Sequence, residues 1–172
     1  MALYLLQNSA AGTTAAPVSQ ATGTAIRTLL QFKPSATIVA KIIEWGISFD
    51  GSAAATPGKV ELMESDVAAT MTTAHTAADI TKYDSDALAG GDPTTNLIQV
   101  GTTATAFGSG AVTEGTTTVS RLFDLQLIAP TNQYVKQFPL GREPVLNLGK
   151  FARIRVTFGA SVNAYCYLIV SI

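Results

Sequence analysis

The sequence has 172 residues, of which 47% are hydrophobic, and it carries few charges, with 11 Lys and Arg and 12 Asp and Glu. An average chain of this length carries about 43 charged residues. The hydrophobic content excludes a largely disordered chain, and the net charge of −1 excludes a global attraction to nucleic acid or to an anionic membrane. A folded chain of this size exposes roughly 8,000 Å², and so few charges leave that surface poorly charged for a soluble monomer. The composition therefore predicts a component of a larger assembly, in which other chains cover much of the surface.

The first 26 residues contain no charge. A secretory signal needs a basic start, and no apolar run here reaches the roughly 20 residues that span a bilayer, so we expect synthesis and folding in a cytoplasm. Residues 1–24 are small and turn-prone after the apolar Leu3–Leu6, which predicts an extended arm attached to a domain over 25–172. An edge strand followed by a linker is the alternative.

Beyond the arm, alternating and β-branched residues predict about eight short strands. These are 26–33, 38–49, 59–63, 116–127, 134–138, 144–148, 151–158 and 164–172. In 116–127, Val119, Phe123, Leu125 and Leu127 share one side, and Arg121 falls among them, which indicates a bulge or a rim position. The last strand is apolar or aromatic on both sides, so we expect both to be covered. Short strands with Gly and Pro turns predict an all-β fold, an antiparallel sandwich or jelly roll.

The stretch 65–115 interrupts this pattern, because it is rich in Ala, Thr and Gly and poor in large apolar residues. We predict a long excursion within the domain. Part of it, around Asp66–Met71, has helical character, and short strands are expected near 97–100 and 104–107.

The charges are unevenly distributed along the chain. Acidic residues predominate between Glu44 and Asp92, and basic residues predominate between Lys136 and Arg155. Two regions of opposite sign suit contact between neighbouring subunits, and two solvated faces are the alternative. Cys166 is the single cysteine, so the chain forms no internal disulfide.

Residues that could carry chemistry are few. The single histidine, His75, makes a hydrolase triad only if tertiary contacts bring it a serine and an acid. One His and one Cys cannot form a zinc site, and the acidic cluster at Asp84, Asp86 and Asp92 lacks the glycine and distal glutamate of an EF-hand. Arg153 and Arg155 alternate on one strand but are too few for a nucleic-acid site. We therefore predict no enzymatic activity, no cofactor and no metal.

Four segments nevertheless resemble a known class of proteins. They are IAPTNQYVKQFPLGREP (128–144), GKFARIRV (149–156), VNAYCY (162–167) and EWGISFDGSAAATP (44–57). These look like segments of small structural proteins encoded among the head genes of tailed bacteriophages. The resemblance implies a capsid decoration, or cement, protein: a jelly roll that forms a homotrimer on the outer surface of the icosahedral head after synthesis in the bacterial cytoplasm.

The partners that this resemblance implies are other copies of the chain and the major capsid protein, with no nucleic acid and no membrane. The residues that we expect to contact partners are Leu3, Tyr4, Leu5, Leu6, Arg142, Arg153, Arg155, Tyr165 and Tyr167. A receptor- or carbohydrate-binding sandwich of a virion fibre is the alternative. It requires an exposed aromatic platform, for which Trp45 is the single tryptophan.

Overall fold

The computed structural model describes residues 2–10, 16–52, 55–83, 98–100 and 106–172, and these contain strands, a short 3-10 helix at Ala77–Asp79 and no α-helix. The strands are β1 (Leu3–Gln7), β2 (Gln20–Ala21), β3 (Ile26–Phe32), β4 (Ala40–Phe49), β5 (Gly58–Ser65), β6 (Thr70–Ala74), β7 (Ile80–Lys82), β8 (Gly108–Thr113), β9 (Ser120–Ile128), β10 (Gln133–Gln137), β11 (Val145–Leu146), β12 (Phe151–Thr157) and β13 (Asn163–Ser171).

These strands form two antiparallel sheets that pack as a β-sandwich, which confirms the predicted all-β fold. Sheet A has the order β10–β4–β13–β1–β7, with β11 paired to β4 and β2 paired to β13. Sheet B has the order β9–β5–β12–β3–β8–β6. The core lies between them and is built from alternate residues of each strand, such as Trp45 and Leu168 from sheet A and Leu62 and Ile154 from sheet B, all fully buried.

The eight predicted strands are confirmed, with small shifts at their ends except at 116–127, which is observed as Ser120–Ile128. The predicted 151–158 is observed as Phe151–Thr157, and 164–172 as Asn163–Ser171. The pairing of β9 with β5 shifts register between Leu122 and Asp124. This β-bulge confirms the irregularity that the sequence predicted near Arg121.

The prediction of an extended arm over residues 1–24 is wrong for its beginning. Leu3–Gln7 is an internal strand of sheet A, paired with β13 on one side and with β7 on the other. Tyr4 and Leu6 point into the core and are 1% and 0% exposed. Residues 11–15, also part of the predicted arm, lie outside the described residues.

Much of the 65–115 excursion belongs to the sandwich. β8 and β6 extend sheet B beyond β3, and β7 extends sheet A beyond β1. The predicted helix around Asp66–Met71 is wrong, because Thr70–Ala74 pairs with β8 as a strand. Of the predicted strand 97–100, the described residues 98–100 form only a bridge between Ile98 and Pro34. Of the predicted strand 104–107, residues 106–107 form a bend before β8, so the prediction is wrong there, and residues 104–105 lie outside the described part of the chain.

Candidate partner-binding face

The outer face of sheet A, which we call the A face, collects mostly uncharged side chains. The register places Leu5 beside Ile169 and Gln7 beside Tyr167, so these side chains point away from the core together. The members of the A face are Leu3, Leu5, Gln7, Lys41, Glu44, Gly46, Ser48, Gln133, Val135, Gln137, Tyr165, Tyr167, Ile169 and Ser171. Within this set, Lys41 and Glu44 carry charges.

The A face remains accessible in the single chain. Val135 is 53% exposed and Tyr165 is 41% exposed, while Leu5, Tyr167 and Ile169 are half-buried. Removing apolar surface from water stabilises a contact by about 25 cal/mol per Å². Accessible apolar side chains that cluster on one face, as Val135 and Tyr165 do here, are typical of an interaction site.

Tyr167 lies at the centre of the A face and is held flat against it. Its ring covers Gly46, where any Cβ atom would collide with it. Its hydroxyl donates a hydrogen bond to Glu44 Oε1 at 2.6 Å. Burial, together with this hydrogen bond, raises the pKa of Tyr167. The centre of the face therefore presents a neutral ring, and the nearby carboxylate already has a hydrogen-bond partner.

The structure brings together some of the predicted partner-binding residues. Those on the A face are Leu3, Leu5, Tyr165 and Tyr167. Arg142 is exposed in the turn that follows β10. Tyr4 and Leu6 are core residues, so the prediction that they contact a partner is wrong; strand alternation points them inward.

Arg153 and Arg155 lie on the outer face of sheet B, away from the A face. Arg153 is fully buried, because the excursion covers it: its guanidinium donates to the carbonyl oxygens of Val67 and Glu114. The prediction that Arg153 contacts a partner is therefore wrong. Arg155 forms an ion pair with Glu61 at 2.9 Å. This pair joins the acidic and basic regions of the sequence inside one chain instead of between subunits.

The outer face of sheet B exposes leucines of its edge strand. Leu125 and Leu127 share one side of β9, as predicted, but it is the outer side, where they are 46% and 71% exposed. Asp124 points inward instead. Its carboxylate accepts a hydrogen bond from the Tyr134 hydroxyl at 2.9 Å and forms an ion pair with Lys136 at 3.1 Å. We call Leu122, Leu125 and Leu127 the β9 leucines. Nothing in the sequence indicates that Asp124, and not these leucines, points toward the interior of the sandwich.

His75 meets a serine and an acid in the folded chain. Its Nε2 lies 3.1 Å from Ser109 Oγ, and its Nδ1 lies 3.7 Å from Asp79 Oδ2. The second distance exceeds a hydrogen bond, and Asp79 Oδ2 instead accepts bonds from the Thr76 N–H and hydroxyl. Ser109 is 0% exposed and His75 is 2% exposed. His75, directly after β6, and Ser109, on β8, are therefore buried, whereas Asp79 is half-buried. The Thr76-x-x-Asp79 capping pattern was the available sequence clue to Asp79.

Other predicted sites are less informative. Trp45 is fully buried against Tyr134, with ring centroids 5.3 Å apart, so it is no exposed platform for a sugar. The acidic cluster at Asp84, Asp86 and Asp92 lies outside the described residues. Within the described ranges, no group of three or more His, Cys, Asp or Glu side chains is arranged to hold a metal, and no helix is long and apolar enough to cross a membrane.

Comparison with known proteins does not identify a family. No family model, no curated protein and no solved structure matches this chain. The resemblance to phage decoration proteins therefore stays a prediction from the sequence.

Proposed function

We propose that this protein is a capsid decoration protein, which trimerises on the outer surface of a tailed-phage head and stabilises the shell by bridging subunits of the major capsid protein. The accessible, mostly uncharged A face carries this proposal. Val135, Tyr165 and Ile169 keep apolar surface in water in a monomer, whereas docking through them buries that surface and so stabilises the contact. The sparse charge of the whole chain supports the same conclusion.

We further infer that the sandwich is a jelly roll. Eight of its strands, taken in chain order, are β1, β3, β4, β5, β9, β10, β12 and β13. The first of these pairs with the eighth, the second with the seventh, the third with the sixth and the fourth with the fifth. This nested pairing supports a double Greek key, and the excursion is then an insertion between the fourth and fifth strands.

Bridging requires two contact surfaces on different sides of the subunit. The sandwich offers the A face on one sheet and the β9 leucines on the other. We assign the A face to sister copies and the β9 leucines to the major capsid protein. An edge strand invites pairing with another chain, but the bulge beside Leu122 and the inward Asp124 protect the edge of β9. Contact through its leucine side chains fits this arrangement better than strand addition.

The test uses phage heads that lack this protein. We expect the full chain to sediment with the heads saturably and to raise the temperature at which they release DNA. Leu127→Asp should weaken sedimentation at least tenfold, which corresponds to about 1.4 kcal/mol, while Val112→Asp, on the far strand β8 with Val112 64% exposed, serves as the matched control. No sedimentation of the natural protein, or heads equally heat-stable with and without it, would overturn the proposal.

A further inference from the structure

An apolar cavity of about 670 Å³ opens at one end of the A face. Its walls include Leu3 from β1, Ile43 from β4, and Phe138 and Pro139 from the turn after β10. Lys41 and Glu143 contribute polar groups to the same lining. The lining of the cavity is therefore mostly apolar and includes two charged side chains, which suits an apolar side chain carried by a polar or charged segment.

Ser171 supplies a second observation at this cavity. It lines the cavity, is 2% exposed, and its Oγ has no hydrogen-bond partner among the described residues. Buried hydroxyls are nearly always paired, because an unpaired one costs roughly 1–3 kcal/mol. The occupant that fits this site thus brings an apolar group and a hydrogen-bonding group together.

The same patch also carries a projecting leucine. Leu140 is 96% exposed at the tip of the turn formed by Pro139–Arg142. The turn is closed by a hydrogen bond from the Arg142 N–H to the Pro139 carbonyl at 2.9 Å, and the Gly141 N–H donates to Glu143 Oε2 at 3.0 Å. Gly141 has φ +81°, which a glycine adopts without strain. Leu140 is thus presented by a hydrogen-bonded turn, and both Leu140 and Gly141 also line the cavity.

We propose that this cavity receives the Leu140 turn of a second copy of the chain. The leucine side chain packs against the apolar lining residues, and a backbone group of the turn pairs with the Ser171 hydroxyl. Charge complementarity supports a sister copy as the occupant: Arg142 forms no ion pair among the described residues, and the docked turn would carry it toward the Glu143 carboxylate, which lines the cavity. The inference rests on the proposed function, since both make the A face an assembly surface, and it names the contact between copies.

The mass of the full chain in solution, measured by light scattering over a dilution series, tests this contact. We expect the natural protein to be oligomeric at about 100 µM and Leu140→Asp to weaken self-association at least 100-fold, about 2.7 kcal/mol, with unchanged circular dichroism. Leu127→Asp removes an equally bulky exposed leucine from the other sheet and should keep the natural mass. Ser171→Ala should weaken association by a smaller factor, roughly tenfold.

A natural protein that is monomeric at about 100 µM, or a Leu140→Asp variant with the natural mass, would overturn the inference. So would a small apolar molecule retained in the cavity and detected by native mass spectrometry. The head-binding assay keeps the two proposals apart. Self-association through Leu140 without any binding to heads would support this contact and reject the decoration role. Binding to heads, together with an oligomeric mass that Leu140→Asp leaves unchanged, would support the decoration role and reject this contact.

Discussion

Burial sets the charge state of His75. The ring packs on Phe107, with centroids 4.7 Å apart, and shares a hydrogen bond with Ser109. Burial lowers the pKa of His75, and the charge of Asp79 opposes this only in part. The folded protein therefore favours a neutral imidazole at neutral pH, and protonating it works against folding.

We predict that stability falls as the pH drops below about 6.5, the ordinary pKa of histidine. The unfolded chain binds this proton more readily than the folded one, so the free energy of unfolding decreases from about pH 6.5 down to the lowered pKa of the folded state. Urea unfolding at about pH 7.5 and about pH 5.5 measures the loss. His75→Gln should lose less over this range; an equal loss in both proteins would contradict the prediction.

We expect Ser109 to serve as a buried hydrogen-bond partner and not as a nucleophile. Ser109→Ala leaves His75 Nε2 unpaired and should lower stability by about 1–2 kcal/mol. A fluorophosphonate probe followed by mass spectrometry should leave Ser109 unlabelled. Labelling that disappears in His75→Gln would show an activated serine and reject this interpretation.

At the scale of elements, alternation predicted the strands that build the two inner faces, because each has a simple in-and-out pattern. It failed for β1, whose five residues have no charged outer side and whose partner β13 lies at the far end of the chain. It also failed for β6 and β8, because Ala, Gly and Thr give no strong periodicity. The A face was predicted in part, from Tyr165 and Tyr167, but the cavity depends on four strands (β1, β4, β10 and β13) and a turn that only the fold brings together.

Neighbouring leucines of β1 test its position in sheet A. Leu6 is fully buried, so Leu6→Ala should lower the free energy of unfolding by about 3 kcal/mol. Leu5 is half-buried on the A face, so Leu5→Ala should cost about 1 kcal/mol. Urea unfolding compares the two variants. Equal small losses would show that this segment is an arm after all.

Comparing Arg153 with Arg155 tests whether the excursion covers the outer face of sheet B. Arg153 is buried beneath Val67 and Glu114, so Arg153→Met removes the donors to their carbonyl oxygens and the cation that faces the Glu114 carboxylate, and it should cost about 3 kcal/mol. The Arg155 ion pair with Glu61 is more accessible, and Arg155→Met should cost about 1 kcal/mol or less. Thermal unfolding of the two variants measures both losses of stability. A larger loss for Arg155→Met would mean that the excursion does not cover Arg153.

At the scale of the whole molecule, charge is sparse, and part of it is used in ion pairs within the chain. The chain exposes 8054 Å² of accessible surface and has 23 Lys, Arg, Asp and Glu residues in all, 11 basic and 12 acidic. Several of these are paired within the chain, as in Arg121 with Glu64 and Lys136 with Asp124. Both sheets meanwhile expose apolar side chains. These two properties support the proposal that other chains cover part of this surface.

Hydroxyl-radical footprinting of the natural protein tests this account most directly, because it reads which side chains water reaches. In a single chain Tyr165 is 41% exposed and Val112, on β8, is 64% exposed. We predict that Tyr165 and Ile169 are strongly protected relative to Val112 at about 100 µM and lose this protection on dilution below the dissociation constant. Oxidation of Tyr165 at the rate of an accessible tyrosine at every concentration, with or without phage heads, would contradict it.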